Sequence, residues 1–414
     1  MTLDAHTCYR ALRARDARFD GRFFVAVSST RIYCRPVCTV KPPRRENCRF
    51  YPSAAAAESG GYRPCLRCRP ALAPGNASVD AISRVAQAAA SMIEDRALDE
   101  EGLEAIAARL GITDRHLRRA FGAEFGVSPV AFAQTQRLLL AKRLLTDTAL
   151  PVTEIAFASG FGSLRRFNAL FKQRYRLQPR QLRRIAPEAA AQDTLNFELN
   201  FRPPYDWPAV SAFLATRAVA GVEAVEDGRY RRTARIRVDA KERLGWIEVS
   251  PSPKKPALRV VVSASLAKVL PPVLSRVKAL MDLACSPAEV AAALGPLAHR
   301  HPGLRVPGAI DGFEVAVRAI LGQQVTVAAA RTVAGRFVAA FGDPLETPFS
   351  SIDRIFPSAE KITELPYGRI ARLGMPGARA RTVLALARAI AGGDIVLMPN
   401  ADIEATLDKL RALP

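Results

Sequence analysis

Six of the seven cysteines in this chain fall within its first 68 residues: Cys8, Cys34, Cys38, Cys48, Cys65 and Cys68, with Cys285 far away. Four of the six form two close pairs. Three residues separate Cys34 from Cys38, two separate Cys65 from Cys68, and 26 lie between the pairs. Each pair can grip one side of a tetrahedral ion, and Zn²⁺ takes four thiolates in this way. Metal binding would also supply folding energy to a segment whose apolar core is small. Zinc keeps thiols deprotonated at neutral pH, and only the thiolate is a nucleophile. The site is therefore either a structural staple without chemistry or a metal-activated sulfur. Four thiolates around one dication leave two net negative charges, and methylating one sulfur removes one of them. Beside an anionic partner, that change relieves a repulsion. Cys8 and Cys48 lie outside the spacing and read as small buried apolar residues.

The surrounding charge suits such a partner. The chain has 414 residues, with 60 Lys and Arg against 39 Asp and Glu, a net charge of +21. Residues 1–75 carry +9 of that excess and 76–186 carry +6, with +6 over the remainder. Arginine dominates the first segment, and its forked donors match phosphate. The polyanion expected is nucleic acid; the plainer alternative is a basic surface that aids solubility. Apolar residues at 49% and charged residues at 24% exclude a disordered chain, a collagen and a small disulfide scaffold. At roughly 100–200 residues per domain, this length predicts two to four domains. No apolar stretch is long enough to span a membrane. The N-terminus MTLDAHTCYRALRARDARFD lacks a signal-peptide core, so a cytoplasmic, nucleoid-associated protein with reduced thiols is expected.

The elements that must hold these residues divide the chain. Residues 1–74 contain strand-like pieces at Gly21–Val27 and Arg49–Tyr51, a short helix at Ser53–Ser59, and a terminal linker PALAPGNAS. From Ser78 to Ile185 the apolar spacing is helical, broken by Gly111, Gly126 and Gly160 and by Pro129, Pro151 and Pro179. Two helix–turn–helix units stand out. The first runs Leu103–Leu110, a turn, then Asp114–Phe121; the second runs Val152–Ala158, a turn at Gly160–Gly162, then Ser163–Tyr175. In the second, Leu164, Phe167, Leu170, Phe171 and Tyr175 form an apolar face, with Arg165, Arg166, Asn168, Lys172 and Gln173 largely opposite. Arg115, His116, Arg118 and Arg119 are the outward residues of the first. A helix buried on one side with Arg and Asn on the other fits a major groove. A merely solvated basic helix explains one such unit better than two. Ala186–Asp193 reads as a second linker.

Period-two alternation then takes over at Leu195–Phe201, Thr233–Val238, Leu244–Val249 and Leu258–Ala264, with one helix capped by Asp206. This predicts a small antiparallel α+β unit. From Pro271 onward the pattern is helical again, with amphipathic runs at Phe313–Leu321, Val325–Phe341, Ala378–Ala391 and Ile403–Leu413.

Three resemblances follow from these motifs. DGRFFVAVSSTRIYCRPVCTVKPPRREN and FYPSAAAAESGGYRPCLRCRP resemble the N-terminal zinc domain of the Ada adaptive-response proteins. That resemblance implies that Cys34 takes a methyl group irreversibly from a DNA methylphosphotriester while Cys38, Cys65 and Cys68 share the metal with it. VTEIAFASGFGSLRRFNALFKQRYRLQPRQLRR resembles the AraC-type signature. It implies two DNA-reading modules joined by the helix around Gln134–Leu145, acting in transcription activation with RNA polymerase as a possible partner. LNFELNFRPPYDWPAVSAFLATRAVAGVEAVEDGRYRRT, HPGLRVPGAIDGFEVAVRAILGQQVTVAAA and RLGMPGARARTVLALARAI resemble AlkA-type 3-methyladenine DNA glycosylases. That family flips an alkylated base from the duplex and cuts its glycosidic bond. By position Gln324 takes the place of the wedge residue, although Gln323 and Gln324 also read as polar helix-end groups.

The expected fold is thus multidomain α+β. A zinc-bound α/β domain occupies 1–74 and an all-α AraC-type double helix–turn–helix occupies 75–186. An antiparallel α+β domain occupies 194–280, and a partial all-α helix–hairpin–helix glycosylase domain occupies 281–414. The family continues after Leu413-Pro414 with a G-[IV]-G hairpin and its catalytic Asp. No carboxylate here is assigned that role, Asp311, Asp353, Asp402 and Asp408 included. The sequence is accordingly expected to be a fragment, the alternative being a chain that has lost base excision, and the glycosylase region as written is expected to be inactive. The four histidines, His6, His116, His299 and His301, follow no cysteine, so repair of O6-methylguanine through a P-C-H-R motif is not expected. The alternative to a repair protein is a transcription regulator with structural zinc and no repair activity.

Overall fold

The computed structural model describes residues 4–74, 81–94, 102–148, 150–183, 193–238, 241–397 and 403–414. Of the expected linkers PALAPGNAS and Ala186–Asp193, residues 75–78 and 186–192 lie outside these residues, as does Asp402; the start of the first is instead a short helical turn, Pro70–Leu72, with Pro70 and Leu72 buried.

The first segment opens with a helix, Ala5–Ala14. Asp4 caps it by accepting the His6 and Thr7 N–H groups at 2.8 and 3.0 Å. Its Cys8, Ala11 and Leu12 pack with Phe23 and Val25. Strands β1 (Phe24–Val27), β2 (Ile32–Cys34), β3 (Cys48–Tyr51) and β4 (Arg63–Pro64) form a sheet in the order β3-β1-β2-β4. The β2–β4 pair is parallel and the others antiparallel. That pairing matters because β2 delivers Cys34 and β4 leads into Cys65. The short helix Ala54–Ser59 is capped by Ser53, whose hydroxyl also donates to the Phe125 carbonyl at 2.6 Å.

The next segment is all helix. Helices Gly102–Arg109 and Asp114–Phe125 form the first unit; Val152–Ala158 and Leu164–Tyr175 form the second. Gly111 and Gly160 take matching places after the first helix of each unit. Both have positive φ, +68° and +89°, a conformation that glycine adopts without Cβ strain. Thr113 and Ser163 cap the second helices. The helix joining the units, Pro129–Asp147, is buried from several sides, through Leu138, Leu139, Ala141, Lys142, Arg143, Leu144 and Leu145.

Strands β5 (Thr194–Asn200), β6 (Glu223–Glu226), β7 (Arg229–Val238), β8 (Lys241–Pro251) and β9 (Ala257–Ser263) make one antiparallel sheet, ordered β5-β9-β8-β7-β6. Helices Leu270–Leu280, Gly312–Leu321, Val327–Phe341, Gly377–Ala391 and Ile403–Arg411 are the longer ones of the last part.

The apolar cores do not stop where motifs do. Ala55 of the first segment joins the core of the first helix–turn–helix unit. Phe167, Phe171 and Tyr175 of the second unit share one continuous cluster with the five-stranded sheet and with helix Leu270–Leu280. Val219 and Val222 belong to the core of the last helices. Across that last junction Arg232 reaches Glu314 at 2.7 Å and Glu223 at 3.3 Å. Arg318 reaches the same two carboxylates at 2.9 and 2.8 Å. Arg232, Glu223 and Glu314 are buried, so two cations and two anions close a neutral network.

Candidate metal centre and nucleic-acid interface

The sheet pairing brings the two cysteine pairs together. The sulfurs of Cys34, Cys38, Cys65 and Cys68 all lie within 4.8 Å of one another. A zinc tetrathiolate with Zn–S near 2.3 Å needs sulfurs roughly 3.8 Å apart, so the cluster fits the ion. The protonation chemistry points the same way. Hydrogen bonds to Cys38, Cys65 and Cys68, then burial, push the Cys34 thiol far up, while bonds from its neighbours pull Cys65 far down. Four thiols this close release all their protons only to a cation. Zn²⁺ is the cofactor this site holds.

The four sulfurs are not equivalent. Arg35 donates its backbone N–H to Cys68 Sγ at 3.4 Å. Backbone N–H groups of Val40 and Cys68 lower Cys38 and Cys65 in the same manner. The Arg35 guanidinium bonds Asp20 through both arms and gives the Cys68 carbonyl a bond of 3.2 Å, fixing that loop. Cys8 is sealed in the core and burial pushes its thiol up to about 11, which keeps it out of the chemistry. Cys48 is half-buried, and its thiol donates to the Arg44 carbonyl at 3.4 Å.

Two residues at this site escape a motif reading. Lys142, from the helix joining the two units, is only 4% exposed and donates to the Cys65 carbonyl at 3.1 Å. Glu58 is buried against the same helix, accepting from Tyr33 at 3.0 Å and from Thr135 at 3.1 Å. Burial raises its carboxyl to about 7, against the lowering pull of those hydroxyls and of Arg174 and Lys142. The signal for Lys142 was its setting in RLLLAKRLL, a helix with leucine on every side.

The second helices of the two units expose their polar residues. Arg115, Arg118 and Arg119 are exposed and His116 is half-buried. Arg118 bonds Asp114 at 3.0 Å, and Arg119 lies 3.3 Å from the His116 ring. In Leu164–Tyr175, Arg165, Arg166 and Lys172 are exposed and Asn168 half-buried, while Phe167, Phe171 and Tyr175 are buried. Leu164 and Leu170 are half-buried against the same core. Gln324 is exposed at the tip between helices Gly312–Leu321 and Val327–Phe341, with φ +53°. Its neighbour Gln323 holds Arg379 through its carbonyl at 2.6 Å. The acidic residues of this part have structural partners: Asp311 caps Gly312–Leu321 at 2.8 Å, and Asp408 pairs with Arg411 at 3.5 Å. Asp353 is held through its backbone, its N–H donating to the Gly221 carbonyl at 2.9 Å and its carbonyl accepting from Leu345 at 2.8 Å.

Four protein-family profiles match the chain. The metal binding domain of Ada matches residues 7–71, and a helix-turn-helix domain matches 106–185. The AlkA N-terminal domain matches 196–311, and the HhH-GPD superfamily of base excision DNA repair proteins matches 317–412. A probable bifunctional transcriptional activator/DNA repair enzyme AlkA of Mycobacterium tuberculosis is 38% identical over 99% of this chain and 83% of its own length. DNA-3-methyladenine glycosylase 2 of Escherichia coli is 36% identical over 53% of this chain and 75% of its own. The bifunctional activator/repair enzyme Ada of the same organism is 37% identical over 34% and 38%. Among the described residues no helix is long and apolar enough to cross a membrane. With a tetrathiolate site at one end, two DNA-reading helix pairs and a base-excision fold behind them, the chain belongs to the family of bifunctional transcriptional activator/DNA repair enzymes of the AlkA type.

Proposed function

We propose that the chain repairs methylphosphotriesters in DNA by irreversible methyl transfer to Cys34 and converts that event into sequence-specific transcription activation. The observation that carries the reading is the closed four-sulfur cluster, with Cys34 at the end of β2 and all four sulfurs within 4.8 Å of one another, in a segment that matches the metal binding domain of Ada. When bound, zinc keeps the thiols ionised. The Cys34 sulfur attacks the methyl carbon, an S–C bond forms, and the C–O bond breaks with its electrons left on a phosphodiester anion. Cys34 becomes a thioether, and the centre goes from two net negative charges to one. Loss of repulsion toward phosphate favours DNA binding, and by linkage DNA binding favours the methylated form.

The residues facing DNA in this reading are Arg115, His116, Arg118 and Arg119 in the first unit and Arg165, Arg166, Asn168 and Lys172 in the second, with Gln324 at the gap left by a flipped base. RNA polymerase is the partner an activator engages, and the cytoplasm is the compartment that keeps the thiols reduced. Segments 1–74, 75–186, 194–280 and 281–414 divide these tasks, the last two taking alkylated bases as substrate class.

The test is incubation of the zinc-loaded chain with methylphosphotriester DNA and measurement of intact mass. One added methyl group per chain, mapped to Cys34 and absent in Cys34→Ala, is the expected result. An unchanged mass favours a regulator with purely structural zinc.

A further inference from the structure

Lys142 poses a problem that neither DNA reading nor metal binding answers. Its ammonium is buried, and burying a lone cation costs several kcal/mol unless an anion compensates. Among the described residues no carboxylate stands within ion-pair distance of it. Its one printed bond goes to the carbonyl of Cys65 at 3.1 Å. Burial first and Arg69 second push its ammonium down to about 8, and the anions that pull the other way are the sulfurs of Cys68 and Cys65, then Glu58. Glu58 is itself occupied by two hydroxyl donors, on Tyr33 and Thr135. The charge left to balance Lys142 is that of the thiolate cluster.

Its place in the fold gives this contact reach. Lys142 belongs to Pro129–Asp147, the rod between the two DNA-reading units. The same rod is tied to the first segment through Thr135 to Glu58 and through Arg69 to Thr146 and Asp147. A charge change at the sulfurs therefore acts on a residue that both reading units share.

We propose that Lys142 is the built-in counter-cation of the tetrathiolate, and that it transmits the charge state of Cys34 to the helix joining the two units. With the thiolate centre intact, attraction holds the first segment on the rod. Once Cys34 is a thioether the attraction weakens, and the contact loosens. Lys142 touches no reacting atom, so its role is positioning and electrostatic. This inference rests on Cys34 being the methyl acceptor.

Two measurements on the full, zinc-loaded chain test it. The first is the rate of Cys34 alkylation by methyl iodide, which needs no DNA: the S–C bond forms and iodide leaves. K142M removes the cation with little change of volume and is expected to speed alkylation roughly threefold, a nearby charge that favours the thiolate over the transition state having been lost. K142R is expected to restore the wild-type rate, which a role in packing alone would not produce. The second is amide hydrogen exchange across residues 129–147. Methylation is expected to raise it several-fold in the wild type and to add nothing in K142M. Equal alkylation rates in all three proteins overturn the proposal. Wild-type exchange that ignores methylation also overturns it, and that reading needs no variant, so it stands even if K142M loses zinc. Normal alkylation by iodide without transfer from phosphotriester DNA would count against the proposed repair activity alone.

Discussion

Glu58 should make this protein less stable as the solution turns alkaline. Its carboxyl is fully buried and raised from an ordinary 4.5 to about 7. A carboxyl whose folded value lies above its unfolded value binds its proton more tightly in the native state. Its contribution is fully present below the unfolded value and is lost as pH rises through the folded one. The shift is about 2.5 units, so at pH 8 the folded state has lost roughly 3 kcal/mol relative to a permanently neutral group. At pH 6 the same arithmetic gives about 2 kcal/mol, so the gap widens by roughly 1.3 kcal/mol between the two. Glu58→Gln keeps the shape and one acceptor oxygen, turns the other end into an NH2 donor to a hydroxyl that can also accept, and cannot ionise. Denaturant unfolding of wild type and E58Q at matched zinc and pH removes the metal's own pH dependence from the comparison. E58Q is expected to gain on wild type steadily from pH 6 to 8. A stability difference that stays flat, or shrinks, over that interval would refute the argument that an unpaired buried carboxylate sits in this interface.

Phe171→Ala is expected to cost about 3–5 kcal/mol, since the ring is fully buried, and one transition should report the loss for the second unit and the five-stranded sheet together. Glu314→Ala leaves Arg232 and Arg318 with half their partners and is expected to cost about 3–5 kcal/mol by denaturant unfolding, with E314Q milder. Lys172→Ala should lower the slope of log affinity against log salt by about one on duplex DNA, measured by fluorescence titration, because the side chain is exposed and has no carboxylate partner among the described residues. Chelation of the metal should make residues 4–74 protease-sensitive before the sheet, as four thiols without a cation cannot hold that small core.

The features legible in the sequence were the local ones. The cysteine spacings located the metal centre because each pair is fixed within a few residues. Apolar periodicity located Leu164–Tyr175 and Gly312–Leu321, and alternation located β5, β7, β8 and β9, because these elements bury one face along their length. Among the elements that the sequence did not reveal are Ala5–Ala14 and β6. Ala5–Ala14 carries Cys8, Ala11 and Leu12 at helical spacing behind an Asp4 cap, but its arginines mask the pattern. β6 has only four residues, too few to show a period. What a sequence cannot display is a partner far along the chain. Lys142 meets Cys65 and Thr135 meets Glu58 across 77 residues, and Arg232 meets Glu314 across 82. Each of these polar residues would read as surface until the opposing segment covers it, and no composition or spacing rule encodes that covering.

The single core that joins Phe167, Phe171 and Tyr175 to β5, β7, β8 and β9 also sets the order of events on the ribosome. The second reading unit finishes at Arg183, yet its inner face is covered by side chains as late as Leu283 and Ile310. During synthesis that unit must wait, apolar face open, while more than a hundred further residues emerge. A chain that stops inside the repair half is therefore expected to leave the second unit with an open apolar face, read as aggregation or as loss of cooperative unfolding.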